Sequence, residues 1–269
     1  MRRTIAVLSC AAVIGVPVVV HAADVWDQAL DNDDTAASTK NVLWHTAPAQ
    51  IHDLKSPKGV LDQDWFRIYP RALRSYEVQI VNLTGDTNTW ANRIKRYAAD
   101  GVTLLQTGVA LDDGGWLSTL RWIHGPRGSS ELLQVPASNV DLSSGSQYSI
   151  QMRETTLYCP RYSNSGTQAS VLMIQRTDPD NANACSYEVR YNNATGVELG
   201  SSVGNLASVG AGNASNVITT STVPGVAGTS GSIYIAHTCG FGGIAAKVVQ
   251  LEAGTGFSFD TSCSARLTN

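Results

Sequence analysis

Apolar and polar positions alternate with a period of two along most of this chain. The clearest runs are 65–69, 76–82, 94–97, 103–106, 117–124 and 131–135, then 148–152, 169–175, 186–191, 216–220, 231–237 and 245–251. Alternation of this kind marks half-buried strands, because successive side chains leave opposite faces of a sheet. Turn formers punctuate the runs: Thr84, Gly85 and Asp86; Asp113, Gly114 and Gly115; and the stretch from Asn192 to Gly196. Trp90, Ile94 and Tyr97 also fit a helical spacing, but Asp100 and Gly101 ahead of VTLLQT make IKRYAADGVTLL a hairpin. No long amphipathic helix and no strict internal repeat is visible. Many short strands at near-regular spacing predict an all-β chain, organised as two tandem β-sandwiches of jelly-roll or Ig-like type.

Composition divides the chain in the same place. All six Trp (Trp26, Trp44, Trp65, Trp90, Trp116 and Trp122) lie in the first half, and Cys159, Cys185, Cys239 and Cys263 all lie in the second. The Ser/Gly-rich VPASNVDLSSGSQ predicts a linker over 137–147, between units at 23–136 and 148–269. The Gly, Ala, Ser and Asn of 204–215 predict a surface loop.

Residues 1–22 read as a secretory signal. Arg2 and Arg3 precede an apolar run over 5–20, and Val20, His21 and Ala22 form a small-residue site for cleavage ahead of Ala23. The run is too short for a good membrane span. Cys10 lies inside it with few apolar residues before it, which ranks lipid attachment well behind cleavage. A secreted protein, extracellular or periplasmic, is expected. Without the signal, Lys plus Arg falls from 19 to 17 against 22 acidic residues, so the net charge moves from -3 to -5. That balance excludes the electrostatic footprint of a nucleic-acid binder, and Arg93, Lys95 and Arg96 read as a solvated face. The N-x-[ST] sites at Asn82, Asn193 and Asn213 matter only in a glycosylating host.

Four cysteines in an exported chain read as two disulfides. Three connectivities are open. The sequential one, Cys159 with Cys185 and Cys239 with Cys263, would contribute roughly 3 to 4 kcal/mol per bridge on the chain-entropy model. A zinc site is the competing reading, but the chain has no C-x-x-C pair and only His237 lies nearby.

The ordered pieces DNDDTAAS, QIHDL, DQDWFRI, YEVQIVNLTGD, IKRYAADGVTLL and STLRWIHGPRGSSELLQV give residues 26–135 a resemblance to the bacterial pre-peptidase C-terminal domain. That family is a small β-sandwich appended to secreted proteases and other exported proteins. In relatives such as the collagen-binding domains of secreted collagenases, an acidic N-terminal segment and an acidic pair before the Trp contribute to calcium binding. The resemblance therefore implies Ca2+ at Asp31, Asp33, Asp34, Asp62 and Asp64, although Asp31 and Asn32 stand where the family often has Glu and Pro. Two carboxylate clusters brought together by a strand could also supply the six to eight oxygens that calcium takes. The competing reading makes these acids turn formers and caps. PRYSNSGTQASVLMIQ, SGSIYIAHTCGFGGIAAKVVQLE and TGFSFDT give the second half a fainter resemblance to a Cys-containing β module of secreted bacterial proteins, to which no activity attaches.

No catalytic constellation emerges, so the expectation is a protein that is not an enzyme. His45, His52, His124 and His237 include no H-E-x-x-H pattern, and no Ser sits in a G-x-S-x-G elbow. His52 and Asp53 are strand neighbours that face opposite ways, and Asp112 and Asp113 with Gly114 and Gly115 form a turn, not a glycosidase pair. A binding or surface-display module is expected, with Trp44, Trp90 and Trp116 as candidates for a face toward a protein or polysaccharide. The alternatives are a structural or export-assisting protein without a dedicated ligand and, behind it, a secreted hydrolase. Exposure of the Trp residues discriminates: three or more clustered on one face support binding, whereas six buried Trp are simply the core.

Overall fold

In a computed structural model the chain is described over residues 33–53, 63–83, 94–110, 117–136, 147–177, 184–207 and 215–265. Among these residues there is no α-helix, and every strand pair is antiparallel. The strands are β1 (Gln50–Asp53), β2 (Asp64–Ile68), β3 (Ser75–Asn82), β4 (Lys95–Ala98), β5 (Leu104–Thr107), β6 (Val109–Ala110), β7 (Leu117–Ile123), β8 (Glu131–Val135) and β9 (Gln147–Glu154). They continue as β10 (Leu157–Ser163), β11 (Gln168–Arg176), β12 (Cys185–Asn193), β13 (Glu198–Leu206), β14 (Ser215–Thr219), β15 (Ser230–His237), β16 (Ile244–Glu252), β17 (Ser258–Ser262) and β18 (Ser264–Ala265).

Among the described residues four sheets form, with strand orders β1-β9-β3-β7-β6 and β2-β8-β4-β5, then β13-β12-β15-β10-β18 and β14-β11-β16-β17. Phe66, Ile68, Tyr76, Val78, Ile80, Leu120, Trp122, Leu133 and Ile150 enclose one core between the first two sheets. Cys159, Leu172, Ile174, Val189, Tyr191, Ile233, Ile235 and Val248 build the other. This is sandwich packing: the inward set of each alternating strand meets the inward set of the facing sheet.

The boundary expected at 137–147 does not mark where one sheet system ends. β9, placed by composition at the start of the second unit, pairs with β3 from Tyr76↔Glu154 to Asn82↔Tyr148 and with β1 from Gln50↔Ile150 to Asp53↔Gln147. Its buried Tyr148, Ile150 and Met152 complete the first core. The change of sheet falls instead at Thr155 and Thr156, two buried residues between β9 and β10.

One further expectation is corrected. The loop expected at 204–215 begins later, since β13 pairs with β12 through Leu206. Of the three connectivities open to the cysteines, the bridges take the nested one: Cys159 with Cys263 and Cys185 with Cys239. Strand order decides this: β10 pairs directly with β18, Tyr158 opposite Ser264, which puts Cys263 beside Cys159, whereas β15 lies between β10 and the strand that carries Cys185. The hairpins foreseen at Asp100–Gly101 and Asn193–Gly196 are present, between β4 and β5 and between β12 and β13.

Candidate functional site

The segment before β1 is sewn to β2. The Trp65 N–H donates to the Asp33 carbonyl at 2.9 Å, the Arg67 N–H to the Asn41 carbonyl at 2.8 Å, and the Leu43 N–H to the Arg67 carbonyl at 3.0 Å. Val42 and Arg67 form a parallel bridge, and the Thr39 hydroxyl donates to the Trp65 carbonyl at 2.6 Å. These bonds carry Asp33 to the first residue of β2, which is Asp64.

Strand register brings the third member. β1 pairs with β9 so that His52 stands opposite Tyr148. The two rings stack at 5.6 Å and 23°, and the Phe66 ring meets the imidazole edge-on at 4.9 Å. The result is a group of Asp33, His52 and Asp64 whose ligand atoms all lie within 4.8 Å of one another. The three side chains are 0, 1 and 0% exposed.

Polar neighbours hold the group in place. The Tyr148 hydroxyl donates to Asp64 Oδ2 in a short hydrogen bond. Asn41 is fully buried, and its Nδ2 donates to Asp33 Oδ2 at 3.3 Å and lies 3.5 Å from His52 Nε2. Gln50 Oε1 lies 3.0 Å from His52 Nε2 while the other end of that amide donates to the Val42 carbonyl at 3.1 Å. Orientation of a ligand ring by such outer partners is how metal sites are preorganised.

Of the five carboxylates expected to bind calcium, Asp33 and Asp64 come together. Asp31 and Asp62 lie outside the described residues. Asp34 is half-buried and its carbonyl accepts from Gln63 Nε2 at 2.8 Å. Calcium takes six to eight oxygens; a set with an imidazole among its three donors does not fit it unaided. Sequence reasoning missed His52, Asn41 and Tyr148. The signal for His52 was its alternation with Gln50 in QIHD, which places both polar side chains on one strand face.

The other candidates divide. Trp44 is 50% exposed and stacks on the 45% exposed Tyr69 at 5.5 Å and 23°. Trp65 and Trp122 are core residues, and Trp90 and Trp116 lie outside the described residues. His124 follows β7 as a strand-end residue, 3.5 Å from buried Glu131, which also pairs with Arg96 at 3.3 Å. Burial pushes the Glu131 carboxyl up, opposed by the Arg96 guanidinium and then by His124. Since Arg96 also caps the Trp122 ring at 4.7 Å, this group serves the core.

A polar groove of about 630 Å3 lies on the β10-β15 face. A bulge in β10 carries Pro160 and Arg161 outward as one wall, the Asn193–Gly196 turn forms the other, and Gly231, Ser232 and Tyr234 lie between.

No protein-family model and no curated protein matches the chain. Among solved structures it is similar, at 8% identity, to a glycosyl hydrolase family 2 member from Bacteroides cellulosilyticus, over 74% of this chain and 28% of that one, with a TM-score of 0.22. It is also similar, at 10% identity, to the full extracellular region of zebrafish Gpr126/Adgrg6, over 85% of this chain and 34% of that one, with a TM-score of 0.25. The chain thus spans about a third or less of the length of either protein, and at these scores neither likeness bears on fold or activity.

Proposed function

We propose that this chain is an exported, non-catalytic accessory protein of two β-sandwich units, the first of the pre-peptidase C-terminal kind and the second clamped by its disulfides, which binds an extracellular protein or polysaccharide. The observation that carries this reading is the Trp44–Tyr69 pair, two stacked rings about half exposed to solvent. A lone exposed aromatic needs no explanation, but a flat stacked pair outside the core is a platform for a sugar ring or an apolar side chain. Two disulfides support an oxidising compartment.

Affinity electrophoresis in gels containing xylan, laminarin or alginate, alongside pull-down of cell-surface proteins, tests it. Retardation or capture should be lost in a Trp44→Ala/Tyr69→Ala variant whose unfolding midpoint is unchanged. If the double variant behaves like the parent on every probe, the chain is a structural or export-assisting protein.

A further inference from the structure

We propose that the polar groove on the β10-β15 face binds an acidic polysaccharide, with Arg161 taking a uronate carboxylate and Tyr158 and Tyr234 flanking the sugar rings. This rests on the polysaccharide reading above and gives it a second site, on the second unit, with its own ligand class. The strand that forms the groove is irregular where Arg161 stands. Along β10, Leu157 and Cys159 are buried and Tyr158 is half-buried between them, so a regular strand would turn Arg161 inward. The bulge between Cys159 and Tyr162 breaks that alternation, and Pro160 and Arg161 are both exposed. Bulges re-aim side chains in this way, and Pro160, with no N–H to give the ladder, suits one.

Charge then selects the ligand. The chain carries a formal net charge of -3, yet no carboxylate lines the groove and Arg161 is its charged wall. Among the described residues that guanidinium makes no ion pair or hydrogen bond. It lies over the Phe259 ring, 5.9 Å from the centroid. A ring against the flat face of a guanidinium leaves its N–H edge to take a carboxylate in the bidentate manner.

The lining favours sugar over peptide. Its aliphatic side chains are those of Pro160 and Ala194, which leaves no pocket for the apolar anchors that hold a peptide. The Tyr158 hydroxyl, the Gln168 amide and the Ser232 hydroxyl have no partner among the described residues, so they offer donors and acceptors to a ligand rich in hydroxyl groups. Tyr158 and Tyr234 stand opposite one another in the β10-β15 register with ring centroids 5.2 Å apart, each with an apolar ring and a polar tip. Arg74 covers Tyr234 at 4.1 Å and holds that ring from the first unit. The far wall is preset, because Asn193 Oδ1 accepts from the Thr195 N–H at 3.0 Å and from the Val197 N–H at 2.9 Å. Little freedom is then lost on binding. At about 630 Å3 the groove has room for a short length of glycan and not merely one ion.

Isothermal titration of the full chain tests this, with trimers of galacturonate and of mannuronate as probes and their carboxyl-reduced forms as neutral controls. Chelator is present throughout, so that no metal bridges ligand and protein. An acidic trimer should bind at one per chain, with an affinity that falls as salt rises. Reduction of the trimer and Arg161→Ala should each weaken binding by about 10-fold or more, the size of one hydrogen-bonded contact to a charged group. Arg161→Lys keeps the charge without the fork and should recover part of the loss, while Arg127→Ala, at another exposed position, should bind as the parent does. The reduced trimers on the unaltered chain decide the matter if a variant fails to fold. Trp44→Ala/Tyr69→Ala should keep full affinity for the acidic trimer, which separates this groove from the stacked pair. Binding of neither acidic trimer, equal binding of the reduced trimers, undiminished binding by Arg161→Ala, or loss of binding in the Trp44/Tyr69 variant would each overturn the assignment; trialanine bound in place of both trimers would make the groove a peptide site. Retardation in neutral xylan or laminarin by the Trp44–Tyr69 pair is untouched by any of these results.

Discussion

The Glu77 carboxylate, on β3, accepts a hydrogen bond of 3.1 Å from the backbone N–H of Phe241, 164 residues further along the chain. The same oxygen takes a 2.6 Å ion pair from Arg121 on β7. Register makes this possible, since Arg121, Glu77 and Arg153 form one row across β7, β3 and β9. Arg153 then reaches over the Phe241 ring at 4.9 Å, and Arg74 covers Tyr234 on β15 at 4.1 Å. A charged row on the first sheet is in this way the socket for the turn between β15 and β16.

That row should carry measurable stability. Glu77 is 3% exposed, so Glu77→Ala leaves the Arg121 guanidinium without its partner and the Phe241 N–H without an acceptor. A loss of about 3 kcal/mol in urea unfolding is expected, of the size seen when one member of a buried pair is removed. Glu77→Gln keeps an acceptor and should lose less. If Glu77→Ala unfolds at the parent's midpoint, the socket contributes nothing.

His237 gives the molecule an acid limit. Its ring N–H donates to the Thr155 carbonyl at 2.8 Å where β9 hands over to β10. Burial lowers its pKa from 6.5 to about 4, against the carbonyls of Thr155 and Cys239 that raise it, with Arg121 adding to the fall. A histidine whose pKa is lower folded than unfolded costs nothing above pH 6.5, where both states are neutral. Below that the unfolded chain takes up a proton that the folded one refuses, so stability should drop by about 3 kcal/mol between pH 6.5 and pH 4. Urea midpoints across that range should fall less steeply in His237→Gln than in the parent. Parallel slopes would show that His237 plays no part.

Much of this architecture was legible from side-chain periodicity alone. Runs such as 131–135 and 231–237 became β8 and β15 because packing on one or both faces left apolar residues where strand geometry needs them. The misses have physical causes. β10, LYCPRYS, breaks alternation because a bulge between Cys159 and Tyr162 inserts a residue. β13 looks like loop because its Gly and Ser are there to make room: a Cβ on Gly204 would lie 2.3 Å from the Tyr187 hydroxyl. In the candidate site, Asp33 and Asp64 were legible as acids flanking a strand. His52 was not, because its meeting with them rests on the β1-β9 register, and a strand after a Ser/Gly-rich stretch gives no local hint that it returns to the earlier sheet.

The nested bridges make an ordered prediction. Peptide mapping without reduction should recover Cys159 linked to Cys263 and Cys185 linked to Cys239. The loops they close span 104 and 54 residues, so they should contribute about 5 and about 4 kcal/mol respectively on the chain-entropy model. They should differ in access, because Cys263 is half-buried while Cys185 and Cys239 are buried. Mild reductant with alkylation should therefore label Cys159 and Cys263 first. Simultaneous labelling of all four would mean that global unfolding, not exposure, controls reduction.

Gly231 tests how closely the strands around the polar groove must approach. It sits on β15 between Tyr162 of β10 and Asn193 of β12. A Cβ added there would lie 1.8 Å from the Asn192 carbonyl oxygen, so the obstacle is backbone that belongs to the same sheet. Gly231→Ala must push β12 and β15 apart, and a loss of about 3 kcal/mol is expected, at the upper end for overpacking. Gly196 provides the contrast: its φ is 84° and a Cβ would meet open space. Gly196→Ala should cost only the strain of a left-handed backbone, about 1 to 2 kcal/mol. Urea unfolding of the two variants side by side separates steric contact from backbone strain, and equal losses would mean that the β12-β15 spacing is not set by the glycine.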